Sequence, residues 1–132
     1  MPSRWMPAAI FVLGLVLAVA ATATTAPKPQ AVEVTAGTPR NEFEFVPKEI
    51  TVAVGQPVQL TLVNKGKVEH DLHIEALGVA VPPKGKDPAA NVLATGKSAT
   101  ATFTPARKGR FEFWCTVPGH KEVGMKGVLI VK

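Results

Sequence analysis

The stretch Cys115-Thr-Val-Pro-Gly-His120-Lys-Glu-Val-Gly-Met125 places a thiol, an imidazole and a thioether within eleven residues, at a repeated step of five. Thiolate and imidazole donors suit copper or zinc, and a thioether close by tilts the choice toward copper. Two imidazoles and a thiolate in a trigonal set, with a long, weak axial thioether, make a mononuclear copper site suited to electron transfer. The stretch supplies three of those four donors, so the rest of the chain has to deliver a second histidine to the same point.

The chain has three histidines, His70, His73 and His120. Leu72 and Ile74 alternate with Asp71, His73 and Glu75. If Leu72 and Ile74 face the core, the two-residue period of a strand puts His70 on their face and turns His73 outward with Asp71 and Glu75. His70 is then the second ligand and His73 a solvent-exposed strand residue. Phe111, Phe113 and Cys115 share one face of a later alternating segment, which carries the thiol inward. Pro118 fixes φ and Gly119 permits positive φ, so the pair can turn the chain back and bring His120 over the thiol. Gly124 and Gly127 bracket Met125 in a similar way. Taken singly, His70 reads as a satisfied core histidine, Met125 as a gap-filler and Cys115 as an inert buried thiol. Their joint spacing favours ligation. Cys115 is also the single cysteine, so it has no disulfide partner within the chain.

The segments that must position these donors read as strands. Alternation with one apolar face runs through Val32 and Val34, Phe43 and Phe45, Ile50 to Val54, Val58 to Leu62, Leu72 and Ile74, Ala99 to Phe103, and Phe111 to Cys115. Val128 to Val131 closes the chain. Turn chemistry separates them at Gly37-Thr-Pro39, Pro47-Lys, Gly55-Gln-Pro57, Asn64-Lys-Gly66, Pro105 and Lys108-Gly109. No segment after the N-terminus sustains a helical period over three turns. The pattern predicts an all-β, antiparallel sandwich or barrel. Gly78 to Gly96, with Pro82, Pro83 and Pro88, is a long connection that reads as a crossover between sheets, with a short helical turn within Ala89 to Leu93.

The N-terminus has a different composition. Arg4 precedes a run from Pro7 to Ala21 without charged or hydroxyl side chains, and Ala21-Thr22-Ala23 offers small residues. Residues 1–23 therefore read as a secretory signal peptide, with an uncleaved membrane anchor as the alternative. The run is short for a span, which needs about 20 residues. No cysteine lies there to carry a lipid. Residues 24–31 read as a flexible leader and 32–132 as the folded domain. Without Arg4, 14 Lys and Arg face 10 Asp and Glu, a modest and scattered excess. It serves solubility and can attract an acidic partner. With no basic run or basic-aromatic patch, and with an export signal, nucleic acid is not an expected partner.

On these residues the chain resembles a known family. Asn64-x-Gly66-x3-His70-Asp71, followed by Phe113-Trp114-Cys115-x4-His120-x4-Met125-x-Gly127, is similar to the type 1 (blue) copper proteins of the plastocyanin/azurin group, the cupredoxins. Phe45-Val46-Pro47 through Ile50-x-Val52-x-x-Gly55 also resembles the N-terminal half of plastocyanins, and the likeness covers nearly all of residues 32–132. The resemblance implies a Greek-key β-sandwich of about eight strands with copper near one end. It carries the ligand roles onto His70, Cys115, His120 and Met125. Two features depart from the plastocyanin pattern. Asp71 stands where plastocyanins usually have the Asn that ties the two ligand loops together, and it is expected to accept from a backbone N–H near Thr116 instead. The Cys-to-His spacing is also longer, closer to rusticyanin-like and other bacterial or archaeal members. A binuclear copper centre would need a second Cys in the loop.

The function this implies is a one-electron carrier, not an enzyme, with one copper cycling between Cu(I) and Cu(II) outside the cytoplasm. Its partners would be redox proteins such as a cytochrome or a membrane oxidoreductase or oxidase, and the chain a monomer. The resemblance brings the edge of His120 to the surface among Val117, Pro118 and Val123. Copper storage or delivery is the alternative, although such proteins usually carry Met- or His-rich tracts, and Met1, Met6 and Met125 are the only methionines. An oxidase or reductase domain would need a second metal site, for which only His73 remains.

Overall fold

The computed structural model describes residues 2, 3, 14 and 17–132. Most of the expected signal segment, 1–23, lies outside the described residues. Among the described residues no helix is long and apolar enough to cross a membrane.

Among the described residues nine strands form: β1 (Gln30–Ala36), β2 (Phe45–Val46), β3 (Glu49–Val52), β4 (Val58–Asn64), β5 (Leu72–Ile74), β6 (Val79–Val81), β7 (Ser98–Phe103), β8 (Gly109–Trp114) and β9 (Lys126–Val131). They make two sheets, ordered β2-β1-β4-β7 and β3-β9-β8-β5-β6. The all-β sandwich is as the sequence predicts, with a difference in pairing. β1 lies parallel to β4, and β3 parallel to β9. The other ladders are antiparallel.

The alternation decides which face is buried. Val58, Leu60 and Leu62 on β4, Leu72 and Ile74 on β5, and Phe111 and Phe113 on β8 all turn into one core between the sheets. Phe45 meets Phe113 edge to face, with ring centroids 5.5 Å apart. Two elements differ from the expected pattern. The strand expected around Phe43 and Phe45 is only Phe45–Val46, because Asn41 starts a turn in which its Oδ1 accepts from the Phe43 amide at 3.0 Å. The connection after Gly78 does cross from one sheet to the other, but it opens with β6, a three-residue strand. It also contains a 3-10 turn at Pro88–Asn91, capped by Asp87 accepting from the Ala89 amide. Its far end returns to the site: Leu93 is buried, and its backbone exchanges hydrogen bonds of 3.1 and 2.7 Å with His70.

Candidate metal centre

Two ladders bring the donors together. β5 pairs with β8 so that His73 faces Trp114, which sets His70 at the same end of the sandwich as Cys115. β8 pairs with β9 so that Trp114 faces Lys126, and the next step is a hydrogen bond from the Cys115 amide to the Met125 carbonyl, 3.1 Å. Between Cys115 and Met125 the chain loops out and back. The His120 amide donates to the Val117 carbonyl at 3.1 Å, and the Met125 amide to the His120 carbonyl at 3.0 Å. Gly119 and Gly124 take φ of 86° and 101° in this loop, a region that side chains other than glycine rarely adopt.

The result is a cluster of His70, Cys115 and His120, one ligand atom from each, all within 4.8 Å of one another and all buried. His70 Nδ1 lies 3.9 Å from Cys115 Sγ and His120 Nδ1 lies 3.4 Å from it. Met125 is fully buried as well. Metal–nitrogen and metal–sulfur bonds of about 2.0–2.3 Å around one centre put trigonal donors roughly 3.5–3.9 Å apart. The two spacings from Cys115 Sγ, 3.4 and 3.9 Å, lie close to that requirement. Two imidazoles, a thiol and a thioether nearby are the donor chemistry of copper, so the residues fit the metal.

The electrostatics fit too. Burial pushes the Cys115 thiol up to about 12, so without a metal it keeps its proton. Burial, and then the neighbouring His70, hold His120 below its ordinary range, which keeps its ring neutral and able to ligate.

Around the donors, Asp71 does what its position suggested. Its Oδ1 accepts from the Thr116 amide at 2.6 Å, and its Oδ2 from the Thr116 hydroxyl. Two expectations are corrected here. Asp71 does not face solvent with the outer residues of β5 but is buried, because its carboxylate turns into these bonds. His73 is not fully exposed either. It is half-buried, with Nε2 3.2 Å from Asp71 Oδ2. It stays outside the three-residue cluster, as strand parity requires.

Sequence reasoning missed three neighbours of the site. Phe43 packs edge-on against the His120 ring, with centroids 4.9 Å apart. Leu93 clamps the His70 backbone. Glu42 Oε1 lies 2.8 Å from His70 Nε2. Phe43 and Glu42 had looked like the two faces of an ordinary strand, and a single Leu in a Pro-rich connection carries no signal. Asn64 is visible in the sequence as a turn residue and through the family likeness, but its bonds are not. Its Nδ2 donates to the Val68 and Leu93 carbonyls at 2.8 Å each, and its Oδ1 accepts from the Gly66 amide at 2.9 Å.

Comparison with known proteins bears on this geometry directly. The model of the cupredoxin-like domain matches residues 8–131. The chain belongs to the cupredoxin-like family. As a cupredoxin it is 32% identical over 100 residues to the copper-resistant cuproprotein CopI of Rubrivivax gelatinosus, a match covering 68% of this chain and 61% of that protein. It is 31% identical over 116 residues to auracyanin-A of Chloroflexus aurantiacus, covering 72% of this chain and 71% of that one. Among solved structures, auracyanin B superposes with a TM-score of 0.61 at 27% identity, over 82% of this chain and 93% of the other. The cupredoxin fold thus agrees in sequence and in structure with the cluster at its end.

Proposed function

We propose that His70, Cys115 and His120 would hold one copper ion through Nδ1, Sγ and Nδ1, with Met125 as a weak fourth donor, and that the chain is a one-electron carrier and not an enzyme. The observation that carries this reading is the convergence of two imidazole Nδ1 atoms, 3.4 and 3.9 Å away, on one buried thiol. Bound there, copper supplies a one-electron couple between Cu(I) and Cu(II). The chain's own contribution is to hold its donors still. His70 is held by backbone bonds to Leu93, and Cys115 and Met125 by the β8–β9 ladder. Asp71 ties the His70 segment to the Cys115 loop through Thr116. Donors fixed in this way need little rearrangement when the metal changes charge. The burial of Cys115, Met125 and His120 keeps bulk water from the donors.

The N-terminal run supports export, which places the carrier outside the cytoplasm, either soluble or anchored by that segment. Its partners are then redox proteins, such as a cytochrome or a membrane oxidoreductase or oxidase, met as a monomer. The name of the Rubrivivax relative, a copper-resistant cuproprotein, points to copper resistance and leaves room for a second reading, in which the chain stores or delivers copper. The two separate in one comparison. A carrier exchanges electrons with a cytochrome in stopped-flow mixing and retains its metal in the presence of a copper-free acceptor. Rapid copper transfer to the acceptor with slow electron exchange would favour delivery.

A further inference from the structure

Glu42 belongs to the turn before β2, far in sequence from every donor, yet its carboxylate reaches the back of the His70 ring. Oε1 is 2.8 Å from His70 Nε2. Both oxygens also accept from the Lys67 amide at 2.9 Å, and Oε1 accepts from the Val68 amide at 3.2 Å. The His70 ring is wholly buried and the Glu42 side chain is 21% exposed, so this contact sits largely out of water.

Gly66 makes room for it. A Cβ on Gly66 would overlap the Glu42 carboxylate and come within 2.8 Å of His70 Nε2. Asn64 in turn holds the Gly66 amide and the Val68 carbonyl, so the loop that cradles the carboxylate is itself fixed. Glu42 and the loop from Asn64 to Val68, distant in sequence, thus meet at one imidazole nitrogen, and the Glu42 carboxylate bonds it on the side away from the donor cluster.

We propose that Glu42 is a positioning residue for the copper site, fixing His70 with Nδ1 toward the metal and lowering the reduction potential by setting a negative charge behind the ring. The proposal rests on His70 being a copper ligand. An ionised carboxylate only accepts hydrogen bonds, so Nε2 must carry the ring proton and Nδ1 is left as the lone-pair donor. A carboxylate bonded to the remote nitrogen also makes the imidazole a stronger donor. A stronger donor favours Cu(II) over Cu(I).

Glu42→Gln, Glu42→Ala and Gly66→Ala in the full chain test this, read by reduction potential, copper affinity and the visible thiolate-to-copper band. Glu42→Gln keeps an acceptor but loses the charge, so its potential should rise while the band persists. Glu42→Ala loses both, and should raise the potential and weaken copper binding about 10- to 100-fold. Gly66→Ala should move both readouts in the same direction by displacing the carboxylate. Nitrogen NMR of the copper-free wild type should show His70 protonated at Nε2, which tests the contact even if a variant fails to fold. A residue that only shaped the loop would leave the potential alone in Glu42→Gln. Wild-type potentials and affinities in the Glu42 variants, or a His70 protonated at Nδ1, would overturn the proposal. Absence of the thiolate-to-copper band from the copper-loaded wild type would instead overturn the copper reading beneath it.

Discussion

At Cys115 the chain keeps a proton that a metal must displace. Burial raises the thiol to about 12 from an ordinary 9.0, so in the copper-free protein this group favours the folded state below pH 9.0, and that contribution fades as the pH climbs toward 12. His120 runs the other way. Its pKa is lowered from 6.5, so its contribution is present above pH 6.5 and is lost as the pH falls through its folded value. The two groups together put the copper-free protein's plateau between those limits. Across pH 7–8.5, binding one copper should release about one proton, from Cys115, with affinity rising about tenfold per pH unit. Competition titrations against a chelator at several pH values check this. An affinity that does not vary with pH across that window, after correction for the chelator, would mean that Cys115 is not a ligand.

At the scale of elements, the ladder between β8 and β9 holds Met125 beside Cys115, and its packing leaves no slack. A Cβ on Gly127 would collide with the Phe113 ring and lie 2.5 Å from the Lys48 carbonyl. Gly127→Ala should therefore destabilise the protein by about 1–3 kcal/mol, the usual cost of overpacking a filled core. Denaturant unfolding of the copper-free protein measures it, and a change under 0.5 kcal/mol would show that the ladder yields more easily than its geometry implies. Strand alternation made much of this level legible in the sequence. The buried faces of β4, β5 and β8 and the half-buried face of β7 follow directly from their apolar periods, and so does the separation of His70 from His73. The parallel pairings of β1 with β4 and β3 with β9 were not legible, because alternation fixes a strand's face and not its neighbour. β6 was hidden by its length, since three residues before two prolines give too little periodicity to read. Glu42 was hidden because its contact with His70 spans 28 residues and depends on the space left at Gly66.

For the whole molecule, the formal charge of +5 would favour encounter with an acidic partner, and exposed apolar side chains near the site would favour its close approach. Val123, in the loop between His120 and Met125, is 62% exposed. Lys121 belongs to the same loop, but its Nζ lies 3.8 Å from the Trp114 ring centroid and 3.5 Å from Glu112, so it is partly engaged. If partners dock at this end, Val123→Glu should slow electron exchange several-fold and leave the visible spectrum unchanged. Exchange rates equal to wild type at low and high salt would mean that the loop shields the metal and does not meet a partner.

In the proposed site, one buried thiol, met by two imidazoles, binds copper as a thiolate. The most direct measurement is the visible absorption and electron paramagnetic resonance of the Cu(II)-loaded protein beside Cys115→Ser. The wild type should show an intense thiolate-to-copper band and the small copper hyperfine splitting of a strongly covalent copper–sulfur bond, and Cys115→Ser should lose both. A band that survives in Cys115→Ser, or a wild type that binds Cu(II) without colour, would contradict the account.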